Sequence, residues 1–369
     1  MKPVPWSMLA RALGALALLA VPALARAQDR KPVRLATLAP KGSSLHKILL
    51  AMGERLRSAP EGGVKLMIYS DGTMGGEAEV VRKMRVKQLQ AGLLTAAGLE
   101  QIDDSINALQ NLPLVFRDLD EVALVRERLA PLLKKRFAEK GFVLLFVGDI
   151  GFVRFFSKQP LRTPDDLKKT KLFTMPGDVQ QVDLMKSLGL NPQPLEPTDI
   201  LPALQTGLID CVPMIPFYAQ VGQFYKPAPY MLDLEWAPLV GGCVVQKEVY
   251  EALPPATRAA VDEIARETGN QVMARDRIES QESITAMKSS GLNVITPTQQ
   301  ELEAWRAFLQ PVYPRLRGAQ VPAELYDAVM ETLRLHREKP AAPPQKDAPA
   351  PGGAKSLEAP REAAARGAG

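Results

Sequence analysis

Two histidines, His46 and His336, two cysteines, Cys211 and Cys243, and the adjacent carboxylates Asp165 and Asp166 are the residues with the widest chemical reach in this chain. Neither histidine has a Ser or Cys nucleophile in a recognisable elbow, and neither has a second His at metal-ligand spacing. They read as surface or capping histidines. Asp165 and Asp166 follow Thr163-Pro164. That is the first turn of a helix, where acidic side chains favour the helix dipole without any catalytic role. The glycines between Gly72 and Gly76 lack the spacing and the acidic partner of a nucleotide fingerprint. The chain therefore carries no catalytic constellation, no metal set and no cofactor motif, and is predicted not to be an enzyme. For the cysteines two readings stand: a disulfide between Cys211 and Cys243, which an exported chain permits, or two buried thiols.

Those residues need a frame. The chain has 369 residues, 46% hydrophobic and 24% charged, with a formal net charge of +5. That is ordinary for a globular protein with a sizeable core in two domains. The positive residues are scattered without interleaved aromatics, so no nucleic-acid footprint emerges. Lys2 and Arg11, the apolar run Ala12 to Ala20, and Ala25-Arg26-Ala27 form a secretory signal cleaved before Gln28. A retained anchor is the alternative, but the run is too short to span a membrane. From Lys339 the chain is Pro, Ala, Gly and charge without periodicity, and a disordered tail is expected over 339–369.

Between these ends the hydrophobic period alternates between strand and helix. Val33 to Thr37 predicts a strand, and Leu45, Ile48, Leu49, Met52 and Leu56 predict one helix face. A strand at Val64 to Tyr69, a helix through Val80 to Leu89 and a strand at Leu93 to Ala97 follow. This β-α-β-α-β order predicts an α/β fold with parallel pairing. A helix from Val122 to Phe137 leads into Phe142 to Val147, a continuously apolar strand. The pattern then restarts in a second α/β set. Its strands are expected at Arg154 to Ser157, Lys171 to Thr174 and Leu208 to Met214, with a crossover at Gly148 to Val153. Pro254-Pro255 opens a helical stretch of almost 40 residues, long enough to lie across both domains, with Gly269 as a bend. Thr298-Gln299-Gln300-Glu301 is a capping box, and Pro322 begins a last helix. An exported two-domain α/β chain without catalytic groups suggests a cleft that closes on a small molecule.

Several stretches resemble one family. Leu35-Ala36-Thr37-Leu38-Ala39-Pro40-Lys41-Gly42-Ser43, the loop Met74-Gly75-Gly76-Glu77, and Arg82-Lys83-Met84-Arg85 look like the first lobe of TRAP transporter solute-binding proteins of the DctP type. Thr163-Pro164-Asp165-Asp166-Leu167-Lys168 and Ala203-Leu204-Gln205-Thr206-Gly207-Leu208-Ile209-Asp210 resemble its second-lobe motifs. The resemblance covers roughly Lys31 to Glu338 and implies a two-lobed periplasmic-binding-protein fold with a long helix spanning both lobes. The implied division is 31–152 plus 242–275 for the first lobe and 153–241 plus 276–338 for the second, after a signal peptide at 1–27. The family implies a receptor that hands its ligand to small and large membrane permease subunits.

The chain departs from that family at two positions. The family typically places Arg on the strand after the Asp-Leu-Lys helix, where it forks onto a substrate carboxylate, and Phe173 stands there. Cys211-Val212-Pro213-Met214 replaces a polar run on the facing motif. Phe supplies no bidentate donor fork. The expectation is an apolar, aromatic or weakly acidic ligand, lined by Phe173, Met214, Phe217, Tyr218 and Trp236, with Leu38 and Leu99 from first-lobe loops. Arg154 is the candidate substitute anion anchor. The alternatives are an organic-acid receptor using such an anchor, and a hydrophobe carrier passing cargo to a periplasmic helical-repeat protein.

Overall fold

The computed structural model describes residues 32–176 and 179–338. The expected signal peptide, the expected 339–369 tail and the Gly177-Asp178 pair lie outside the described residues. Two sheets organise the chain, with strand orders β2-β1-β3-β10-β4 and β11-β9-β5-β8-β6-β7. In the first, β1 (Val33–Thr37) pairs parallel with β2 (Leu66–Tyr69) and with β3 (Ala91–Thr95), as the alternating periods require. β4 (Phe142–Phe152) is an edge strand that continues past the predicted Val147. In the second sheet, β6 (Lys171–Thr174) runs parallel to β7 (Asn191–Pro194) and β8 (Cys211–Met214). There β5 (Arg154–Ser157) lies antiparallel to β8 and β9 (Tyr230–Leu232), and β9 is parallel to β11 (Asn293–Ile295).

β10 (Pro238–Gln246) brings the chain back from the second sheet to the middle of the first, antiparallel to both β3 and β4. Its Gly241-Gly242 pair hides it from a propensity reading. A Cβ on Gly242 would lie 2.8 Å from the Phe146 carbonyl oxygen, so only glycine lets the strands approach there.

Three segments cross between the lobes before the C-terminal helices return to the first. Val153 alone separates β4 from β5, a sharper crossover than the expected Gly148 to Val153. The returning segment is bonded to it: the Val153 amide donates to the Ala237 carbonyl at 2.9 Å, and the Trp236 amide to the Val153 carbonyl at 3.1 Å. The third connection is the helix Pro255–Ser289, 35 residues long. Val261 and Ile264 pack in a first-sheet core, and Met287 packs in the second-sheet core with Phe156 and Val212. Gly269 does not break the helix; a Cβ there would meet the Phe146 ring at 3.0 Å, so the glycine serves close packing.

The expected capping box at Thr298 forms, and a second forms at Thr163. Thr163 donates its amide to Asp166 Oδ2 at 3.0 Å, and the Thr298 amide donates to Glu301 Oε2 at 2.7 Å. The last helix, Ala323–Glu338, packs Leu325, Val329 and Leu333 against Val122, Val125 and Leu129 of the Leu119–Glu139 helix. Arg337 clamps Glu121 with two bonds of 2.7 Å. The division by sequence puts 276–338 in the second lobe. Given this packing, we propose that the C-terminal helix be counted with the first.

Candidate functional site: two cavities between the lobes

Two cavities lie where the lobes and crossing strands meet. The larger encloses about 160 Å3. Thr95, Ala97, Gln110 and Asn111 face it from the first lobe, Phe173, Thr174, Met175 and Pro213 from the second, and Val153, Trp236 and Ala237 from the crossing segments. The smaller, about 40 Å3, is lined by Leu38, Glu77, Ile150, Tyr218 and Met273 among others, and also touches Thr95. Among the described residues, no Lys or Arg lines either cavity.

The sequence-predicted ligand residues are divided by this geometry. Phe173 and Trp236 line the larger cavity, and Leu38 and Tyr218 the smaller. Phe173 is 3% exposed and also part of the second-lobe core, because β6 is flanked by β7 and β8 and turns one face onto Ile200 and Leu204. Trp236 sits edge-on to Phe155 at 5.2 Å and to Trp305 at 5.9 Å between ring centroids. Met214 and Phe217 line neither cavity: Met214 packs on the second-lobe core, and the Phe217 ring meets Tyr218 at 5.5 Å. Leu99 is fully buried in the first-lobe core, a packing residue and not a loop contact.

Arg154 is committed elsewhere. Its Nε donates to Asp233 at 2.6 Å, its Nη2 to Glu235 at 2.9 Å and its Nη1 to the Phe152 carbonyl at 3.3 Å. A guanidinium already holding two carboxylates has little left for a ligand anion, so the expected anchor role does not fit this placement. Arg154→Ala should cost on the order of 1 kcal/mol in chemical denaturation, because its partners are half exposed, and should leave ligand affinity unchanged. A folded variant that has lost ligand binding would contradict this.

No disulfide links the cysteines. Cys211 lies on β8 in the second sheet and Cys243 on β10 in the first, and both are free. Burial pushes both thiols up, Cys243 to about 12, which keeps them protonated and unreactive. His46 accepts the Gly42 amide on Nδ1 at 3.1 Å and donates its own amide to Ser43 Oγ at 3.2 Å, a capping arrangement. His336 is exposed on the last helix.

The sequence reading missed a set of buried carboxylates beside the cavities. Glu77 accepts the Thr95 amide at 2.7 Å and the Thr95 hydroxyl at 2.6 Å, and burial raises its pKa. Asp149 is 1% exposed, with Arg126 at 3.2 Å from Oδ1 and no partner on Oδ2; burial raises its pKa against the pull of Arg126. Asp276 is 9% exposed, and its Oδ2 is also unpartnered. Burial, then the charges of Glu279 and Asp149, pushes its carboxyl up to about 7, with Arg275 opposing. Glu279 accepts from Arg275 Nε at 3.0 Å and from the Ser44 hydroxyl. The helical stripe Val261, Ile264, Ala265, Thr268, Val272 held the signal: continued at the same period, it runs into the buried Asp276, Glu279 and Ser283.

With this geometry described, known proteins can be compared. The family model for bacterial extracellular solute-binding protein, family 7 (DctP), matches residues 35–318. The C4-dicarboxylate-binding periplasmic protein DctP of Rhodobacter capsulatus is 25% identical over 292 residues, covering 79% of this chain and 86% of that protein. The 2,3-diketo-L-gulonate-binding periplasmic protein YiaO of Escherichia coli is 24% identical, covering 69% and 77%. A TRAP periplasmic solute-binding protein from Chromohalobacter salexigens, solved with bound D-glucuronate, superposes with a TM-score of 0.74 at 21% identity, covering 82% of this chain and 99% of that one. One from Shewanella oneidensis, with bound succinate, gives 0.75 at 18% identity and covers 82% and 99%. The two-sheet architecture, the long connecting helix and the match over 35–318 have one reading: this chain belongs to the bacterial extracellular solute-binding proteins of family 7, the DctP family of TRAP receptors.

Proposed function

We propose that this receptor binds a small apolar, aromatic or weakly acidic molecule between its lobes and delivers it to TRAP membrane subunits after export through the N-terminal signal. The observation that carries this is the composition of the cavity walls. Phe173 stands in the larger one, neither contains a Lys or Arg, and Arg154 is held by Asp233 and Glu235. A carboxylate transferred into such walls would lose hydration with no charged donor in return, at a cost of several kcal/mol. The buried Glu77 carboxyl on the smaller cavity offers a ligand anion no positive charge. Ligand contacts on both lobes favour the closed arrangement about the Val153 and Trp236 crossing, and differential affinity for that state drives closure.

An organic acid is the second reading, favoured by the ligands named for the relatives above. Native mass spectrometry of the full chain, purified without refolding, separates the two. The expected adduct is uncharged or monoacidic and aromatic or aliphatic. A C4-dicarboxylate or uronate retained at one equivalent would overturn the apolar reading.

A further inference from the structure

We infer that the Thr174 hydroxyl is the polar anchor of the larger cavity, and that the ligand is a single-ring-sized neutral molecule with one uncharged hydrogen-bonding group. This rests on the reading of that cavity as the ligand site. Thr174 is 5% exposed, lines the cavity, and among the described residues its Oγ1 has no hydrogen-bond partner. Buried hydroxyls are normally paired, and leaving one unpaired costs about 1–3 kcal/mol. Asn111 and Gln320 also line the cavity, and two further polar side chains there are engaged. Thr95 donates its hydroxyl to Glu77, and Gln110 Oε1 accepts the Val240 amide at 2.8 Å. Thr174 thus offers one donor and two acceptor sites at the end of β6, beside Phe173, in an otherwise largely apolar chamber.

Size and charge narrow the class. A dry cavity of about 150 Å3 in another protein accommodates benzene. The chamber here, about 160 Å3, suits one ring with a short substituent. With no Lys or Arg in the lining, the substituent is a hydroxyl, carbonyl or carboxamide and not a carboxylate.

The test uses benzyl alcohol, toluene and benzoate as probes, titrated calorimetrically into the full chain and into Thr174→Val and Thr174→Ser. The wild-type chain should prefer benzyl alcohol to toluene by about tenfold, the value of one hydrogen bond of about 1.4 kcal/mol. Thr174→Val should abolish that preference while keeping toluene affinity within about twofold, and Thr174→Ser should retain it. If Thr174→Val keeps the wild-type preference, the assignment of Thr174 falls while the apolar reading stands. If benzoate binds the wild-type chain more tightly than both neutral probes, the neutral-ligand inference falls while the wider reading, which includes a weakly acidic aromatic, stands. Absence of binding by all three overturns both.

Discussion

Phe173→Arg should destabilise the protein by about 3–5 kcal/mol and weaken binding of whatever ligand co-purifies with the wild-type chain. Phe173 is 3% exposed among Ile200, Leu204, Val212, Ala219 and Met231. A guanidinium there loses its water and meets apolar side chains. The loss of ring packing adds to the charge penalty. Phe173→Leu is the control and should cost about 1 kcal/mol, since it keeps an apolar body in the same slot. Guanidinium denaturation reads the stability, and titration of the recovered ligand reads the binding. An arginine variant as stable as wild type and able to bind succinate would mean that an anion site is already formed around position 173.

Asp276→Asn should stabilise the protein at pH 8 by about 2–4 kcal/mol and leave it unchanged near pH 4. The folded-state pKa of Asp276 is raised from 3.8 to about 7, through burial first and then the charges of Glu279 and Asp149. In the unfolded chain the group ionises near 4, while in the folded protein it holds its proton up to about pH 7. Between those values the native state binds more protons than the unfolded state, so stability falls as pH rises through the window and is level above it. Asparagine removes the titration and keeps the shape. The check is a series of denaturation curves from pH 4 to pH 8 for both proteins. A difference that does not grow with pH would show that Asp276 is not the group responsible. Because Asp276 sits between the first-lobe and second-lobe parts of the long helix, near Tyr218, the same comparison should be made with ligand bound.

Much of the architecture was written in local patterns. The β-α-β-α-β start, the capping box at Thr298 and the long helix follow from period, caps and breakers, because those signals act over a few residues. β7 and β10 did not follow. Asn191–Pro194 carries two prolines, tolerated because it is an edge strand, and Pro238–Gln246 carries two glycines that close approach demands. Both depend on neighbours distant in sequence. The site shows the same limit. Phe173 was legible through its position in a motif, and it does line a cavity. Met214 too was named from a motif position, and Leu99 from a first-lobe loop, yet both pack in cores. Arg154 looked available until Asp233 and Glu235, far along the chain, proved to hold it.

The place of β10 has a consequence for how the protein can be made. Residues 32–152 contain β1 to β4 but not the strand that joins β3 to β4. That strand arrives only after the second sheet's β5 to β9 have been laid down, and the first-lobe core is not filled until Leu333. A chain emerging from its N-terminus therefore holds two unpaired sheet edges, on β3 and β4, until residues 238–246 arrive. Neither lobe can be excised as a continuous piece, and the first to begin is the last to finish. Such long-range pairing folds slowly.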